Sequence, residues 1–457
     1  MPHILLLGTC DTKLEELLYV REQILGHQDT DVTLVDVGRT PVSDPAITVS
    51  PTDLTTKYAP DGAPSDINKL DRGELNKHMA ACATNYVRDL LEHQGTSSSN
   101  ESRGPNYSVS GVLSLGGSGG TSLAAAVMRE ALPMGFPKLI VSTIASGETG
   151  PIIGETDITL MYSIVDIAGL NTILRTVLSN AAGAIFGMAS AYQQKLSRDK
   201  AAAENRNAAA GTRSKDENGK IPIRLGITMF GVTTPAVTAI RAYLSTLSSQ
   251  PASQCPYTFP DTHIFHATGH GGLAYERLVT THRLDAAIDL TTTELADHHV
   301  PGATMSAGPT RLAAAAAAGL PQVVSLGATD MANFGARGTV PERYAGAGAG
   351  RTLFEHNPSV TLMRTSPEEC AEVGRDVAAK LREGKGRCEV WLPRGGVSLM
   401  SVEGGPFEDK EADEALFKAV REGLAGSGVR VVEDERHVND EGFARGMVDA
   451  LVRLLGE

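Results

Sequence analysis

The stretch Leu113-Ser114-Leu115-Gly116-Gly117-Ser118-Gly119-Gly120-Thr121-Ser122 constrains this chain more than any other. An apolar run, Val109 to Leu115, leads into it, and Leu123-Ala124-Ala125-Ala126-Val127-Met128 continues with helical character. Strand, glycine-rich turn, helix is the order in which backbone N–H groups converge on an anion at a helix N-terminus. Ser118, Thr121 and Ser122 add hydroxyls and an N-cap. A connecting turn does not need four glycines in five residues. The spacing therefore favours a phosphate or carboxylate site over a plain strand-to-helix connection. No Lys-Ser/Thr pair follows the last glycine, so this is not a Walker loop, and the dinucleotide fingerprint is also absent.

The same grammar recurs along the chain. Ile4-Leu5-Leu6-Leu7 reads as a strand buried on both faces, followed by the turn Gly8-Thr9-Cys10-Asp11-Thr12-Lys13 and a helix with Leu14, Leu17, Leu18 and Leu25 on one side. Asp31 to Val37 is a second strand, ending in Asp36-Val37-Gly38-Arg39. An acidic residue there is where a Rossmann-type fold meets a ribose; a ligand role and simple loop solvation both fit Asp36. Residues 40–70 read as a long excursion, 75–91 as a helix, and 94–107 as a polar surface loop. Lys138 to Val141 is a strand ending in Ser142-Thr143-Ile144-Ala145-Ser146-Gly147-Glu148, and Ile158 to Tyr162 is another. An Ala- and Leu-rich helix then runs to about Gln194.

Residues 197–220 are charged, Ala-rich and without a buried face, which marks a domain boundary. Strands then restart at Ile223–Met229, Thr262–His266, Ala286–Leu290 and Gln322–Leu326, each closed by a Gly/Thr-rich turn. Repeated units of this kind predict an α/β protein of two Rossmann-like subdomains, with mainly parallel sheets and helices on both faces. The N-terminal subdomain is predicted over 1–200, a linker over 201–220 and the C-terminal subdomain over 221–457.

Composition narrows the function. A net charge of −13 disfavours nucleic acid as a partner. Five scattered cysteines without a CxxC point to a reducing compartment. No uninterrupted apolar run approaches the ~20 residues of a membrane span, and Met1-Pro2 leads straight into a strand without a basic leader. The expectation is a soluble, cytoplasmic protein with no membrane partner.

Several strings together resemble a known family: GTCDTK, LGGSGGT, STIASGE, DITLMYSIVDIAGLN, TMFGVTTP, FHATGHGG, DLTTTE and GATDMANFG…TVPER…HNPSVTLMRT, in matching order from Ile4 to about Leu424. They are similar to the tobamovirus-resistance ATP-binding protein family. The resemblance implies two Rossmann-like subdomains, ATP bound by the first, and a homodimer. It implies a cofactor site at Gly8, Thr9, Asp11, Thr12 and Lys13 on the first turn, Gly116, Gly117, Ser118, Gly119, Gly120 and Thr121 on the next, and Thr143, Ser146 and Gly147 on a third. Lys13 would meet phosphate as a point charge and Asp11 would hold Mg²⁺ through water, against the alternative of an ordinary helix start. The plant member carries a C-terminal TIM barrel; the expectation here is a chain without it, with a separate TIM-barrel protein as a candidate partner. The antiviral role is not carried over.

The C-terminal half has a second polar cluster: His266, His270, Glu294, Asp297, His298, His299, Asp330, Asn333 and His356. Glycines around His270 read as loop, so the HExxH argument fails. Glu294 with His266 and His356 forms a candidate catalytic set, either acid–base or two-His-one-carboxylate. Helix capping among strand-end residues explains the same pattern. Arg311, Arg343, Arg351 and Arg364 fit either anion recognition or surface ion pairs. Two functional readings follow. One is an ATP-binding module; the other is an enzyme acting on a small carboxylate or phosphate at the inter-domain cleft, assisted by ATP or metal.

Overall fold

Alternation along the first strand, β1 (His3–Gly8), sorts its apolar residues onto both faces of a sheet. Leu5 and Leu7 join a core closed by the helices Arg72–Glu92 and Ser118–Ala131, while Ile4 and Leu6 join one closed by Cys10–Leu25 and Thr172–Arg206. The computed structural model describes residues 1–64, 67–93, 108–206, 215–346, 348–384 and 387–457. They divide into two units, Met1–Ala209 and Ala210–Glu457.

The first unit holds one parallel sheet. Its strands β1, β2 (Asp31–Asp36), β3 (Ile47–Val49), β4 (Val109–Gly116), β5 (Lys138–Ser142) and β6 (Thr159–Tyr162) lie in the order β3-β2-β1-β4-β5-β6. β1 pairs with β2 through Leu6↔Leu34 and with β4 through Leu6↔Leu113. The chain leaves β1 in one direction toward β2 and returns on its other side as β4, so the turns after β1 and β4 diverge. That divergence opens a crevice outside the carboxyl ends of the two strands.

The second unit adds β7 (Ile221–Met229), β8 (Tyr257–His266), β9 (Ala286–Thr291), β10 (Gln322–Gly327), β11 (Met331–Phe334), β12 (Leu353–Asn357), β13 (Val360–Arg364), β14 (Cys388–Pro393) and β15 (Arg430–Asp434). Six of them form a parallel sheet ordered β15-β14-β10-β9-β7-β8, and β11-β13-β12 make a small antiparallel sheet. The apolar residues of β7 and β9 pack on the helices Thr234–Ser249 and Glu441–Gly456. Those of β10 and β14 pack on Pro367–Arg382 and Lys410–Leu424.

Three expectations need correction. Residues 40–70 are not a structureless excursion, because β3 and the helix Pro51–Lys57, capped by Ser50, lie within them. The helix expected to end near Gln194 runs to Arg206, into the stretch assigned to the linker, of which 207–214 lies outside the described residues. Within it, Thr172–Asp199 has mean hydropathy 1.2 and is long and apolar enough to cross a membrane by length and composition. Polar residues interrupt it, which hid it from a search for unbroken runs. Leu174, Leu178, Ile185 and Ala189 spend its apolar face on the first sheet. The polar loop expected at 94–107 lies outside the described residues.

Candidate functional site

The crevice between β1 and β4 is a cleft of about 590 Å³. Thr9, Asp11, Thr12 and Lys13 line one wall, Gly117, Ser118, Gly119 and Gly120 another. Gly116 ends β4 where the chain needs a close approach: a Cβ there would stand 3.0 Å from the Gly120 Cα. Gly117 then starts the helix Ser118–Ala131 without any side-chain cap, and the first amide bonded back is Thr121 N–H, to Gly117 O at 2.8 Å. The amides before it are the free donors that every helix N-terminus carries, with the positive end of the helix dipole behind them.

Not every expected residue reaches the cleft. Gly8 and Gly116 close their strands behind it, and Thr121, fully buried, bonds Ser142 Oγ at 2.7 Å. Thr143 stands beside Gly117, its Oγ1 3.8 Å from where a Cβ would be, and its N–H donates to Gly116 O. Ser146 and Gly147 sit on the adjoining turn, where Gly147 N–H donates to Ile144 O. Lys13 Nζ donates to Ile167 O at 2.5 Å, and Lys13 itself breaks helical geometry (φ −139°, ψ 28°). Asp11 Oδ2 accepts from Arg39 N–H at 3.0 Å and Thr40 N–H at 3.2 Å, fastening the turn after β2 to the turn after β1. Asp36 has no solvent exposure: its Oδ1 accepts from Cys10 N–H and Gly38 N–H, and burial raises its pKa. Burial and the neighbouring Asp36 likewise push the Cys10 thiol up.

Sequence reasoning passed over the third wall, made of Arg39, Arg72, Asn76, Leu75 and Met79. Asn76 Nδ2 donates to Gly119 O at 3.0 Å, and Arg39 Nη2 donates to Leu70 O at 2.8 Å. Arg72 Nη2 lies 3.8 Å from the position of a Gly119 Cβ. Among the described residues Arg72 makes no hydrogen bond or ion pair. The signal that would have placed it is Asp71-x-x-Glu74, a capping box in which Asp71 accepts from Glu74 N–H and Glu74 from Asp71 N–H. It fixes Arg72 as the first helical residue.

In the second unit Glu294 meets neither of the histidines expected to join it. Its Oε1 accepts from Gly269 N–H at 2.7 Å and Gly272 N–H at 3.0 Å, and its Oε2 pairs with Arg311 Nε at 2.6 Å. Arg311, wholly buried, also bonds Asp289 through both Nη atoms and Glu276 through Nη1. Burial opposes the Arg311 charge, yet Asp289, Glu294 and Glu276 hold its pKa well above the ordinary value. Burial raises Glu294 and Glu276 in turn. His266 is exposed beside Phe230, with ring centroids 5.5 Å apart. His356 is exposed on β12, in the antiparallel sheet and not at a parallel-sheet edge. His270 begins the helix His270–Thr280, so Gly271 and Gly272 are helical, not loop; Gly269, at φ 89°, makes the preceding turn. Among the described residues no group of three or more His, Cys, Asp or Glu is placed to hold a metal ion.

Fold and cleft thus define a pair of doubly wound α/β units, the first with an open cleft at its topological switch point. The chain belongs to the uncharacterised protein family UPF0261: the family's N-terminal domain matches residues 2–194 and its C-terminal domain residues 223–455. It is 37% identical to a UPF0261 protein of Clostridium tetani, over 99% of this chain and 98% of that one. To a UPF0261 protein of Rhizobium meliloti it is 39% identical, over 98% of each. The tomato (Solanum lycopersicum) ToMV resistance protein Tm-1 is 32% identical over 99% of this chain, which spans 56% of that longer protein.

Proposed function

We propose that this protein binds ATP, with its phosphates at the N-terminus of the helix Ser118–Ala131. One observation carries the reading: an uncapped, glycine-lined helix start opens into a cleft beside an arginine that has no partner among the described residues. Backbone donors and a guanidinium that share one opening suit phosphate oxygens. ATP is the nucleotide that the family resemblance implies. Leu75, Met79 and Leu123 give the cleft an apolar wall of the kind a base packs against.

Calorimetric titration of ATP with Mg²⁺ tests this, with Gly119→Val as the control. A Cβ at Gly119 meets nothing closer than Arg72 Nη2 at 3.8 Å, so the fold accommodates it. The valine side chain would occupy the phosphate's place, and affinity should fall about hundredfold, some 2.7 kcal/mol. Absence of heat with the unaltered chain, or equal affinity in the variant, would refute the site.

A further inference from the structure

Ribose recognition in doubly wound sheets rests on a carboxylate at the end of the second strand, which accepts a hydrogen bond from the 2′-hydroxyl. Asp36 holds that position, but it is turned inward: it is fully buried and its Oδ1 is spent on the amides of Cys10 and Gly38. Asp11 is the one carboxylate among the described cleft-lining residues. Its Oδ2 serves the amides of Arg39 and Thr40, and its Oδ1 lies 2.7 Å from where a Gly38 Cβ would stand, closed over that turn. Asp36 is thus enclosed, with its unpartnered Oδ2 buried away from the cleft opening, and Asp11 is held by the protein's own backbone.

The charge presented to the cleft is instead positive. Arg72 is unpaired among the described residues and stands over Gly119. Arg39 lines the same cleft; its Nη2 reaches the carbonyls of Leu70 and Asp71, and among the described residues its Nε and Nη1 make no hydrogen bond. Lys13 adds a third cation, resting on the Ile167 carbonyl. Guanidinium groups match phosphate oxygens in geometry as well as charge.

We propose that the cleft reads the phosphate chain of its ligand and not the sugar, with Arg72 and Arg39 as its specificity-determining residues. Ribo- and deoxyribonucleoside triphosphates bind alike, and inorganic tripolyphosphate competes with both. This rests on the nucleotide reading above and sharpens it.

The test is a set of titrations on the full chain with ATP, dATP, AMP and inorganic tripolyphosphate, all at one ionic strength because exposed charges are screened by salt. The expected result has dATP within about threefold of ATP, AMP weaker by about tenfold or more, and tripolyphosphate displacing ATP. If ATP binds and dATP is about tenfold weaker, the 2′-hydroxyl is read; the inference falls and the nucleotide site stands. If no phosphate compound binds, both fall. Arg72→Gln supplies the second arm. The side chain is exposed and the cap formed by Asp71 and Glu74 is untouched, so the variant folds. It should weaken ATP and tripolyphosphate about tenfold and AMP less than about threefold. An equal loss for all three, or no loss, would overturn the proposal.

Discussion

At the carboxyl edge of the first sheet, a helix start and Arg72 face an open cleft with donors to spare. Behind the same edge of the second sheet, Arg311 is enclosed by Asp289, Glu294 and Glu276 and every one of its nitrogens is bonded. Both edges grew from the same sequence grammar of apolar run and Gly/Thr turn. What separates them is whether the protein answers its own polar groups. Donors left unanswered can take a ligand, whereas a matched buried cluster ties strands and helices together. The first edge reads as a place for binding and the second as a fastening.

The largest effect should come from Arg311→Met. It would strand three acidic groups in the interior, at a cost of about 3–5 kcal/mol. The loss should deepen as pH rises and Glu294 and Glu276, both raised by burial, ionise, and it should spare nucleotide affinity in the first unit. Denaturant unfolding followed alongside ATP titration checks both. If affinity fell with stability, the division of labour between the units would be wrong.

Asp297 should give the next effect. It accepts from Asn333 N–H, Asn333 Nδ2 and Met305 N–H, but burial still pushes its pKa from 3.8 to about 7. Between those values the folded chain keeps a proton that the unfolded chain has released. Its contribution to stability is therefore full below pH 3.8 and lost as pH rises toward 7. The slope is up to about 1.4 kcal/mol per pH unit. Asp297→Asn should flatten that slope in unfolding curves taken between pH 4 and 7; an unaltered slope would show that Asp297 does not titrate there.

The smallest effect belongs to the histidines. His266→Ala and His356→Ala remove exposed side chains that do not touch Glu294, and each should change stability by less than about 0.5 kcal/mol and ATP affinity not at all. A His266 variant that lost ligand binding would turn the second edge back into a site.

Much of the fold is legible in the sequence because strands buried on both faces are written as apolar runs, unbroken in Ile4–Leu7 and interrupted only by small or single polar residues in Val109–Leu115 and Ala286–Leu290. The antiparallel sheet escaped that reading. β12 carries Glu355, His356 and Asn357, all exposed, and its pairing with β13 is set by tertiary contact. The cleft was half legible. Its glycine turns announce themselves locally, but Arg39 and Arg72 arrive from other elements, and only the order β2-β1-β4 brings them near Gly119. Glu294 was read beside the histidines of neighbouring turns. Its true partner, Arg311, fits either anion recognition or a surface ion pair by sequence, since nothing in a sequence shows that a charge is buried.

The helix Glu441–Gly456 places Phe443, Met447, Val448 and Leu451 in the same core as Ile223, Leu225 and Ile227 of β7. Vectorial synthesis gives that contact a cost in time. The first unit's six strands have all been made before the second unit begins, so its sheet can close while translation continues. The core on β7, by contrast, gains the helix Thr234–Ser249 at once but must wait for more than two hundred further residues for Glu441–Gly456 to complete it. At an elongation rate of about 5–20 residues per second that wait lasts on the order of ten seconds or more. Throughout it the core on β7 stays open on the side that Glu441–Gly456 will fill, and the second unit, not the first, is where chaperone dependence should appear.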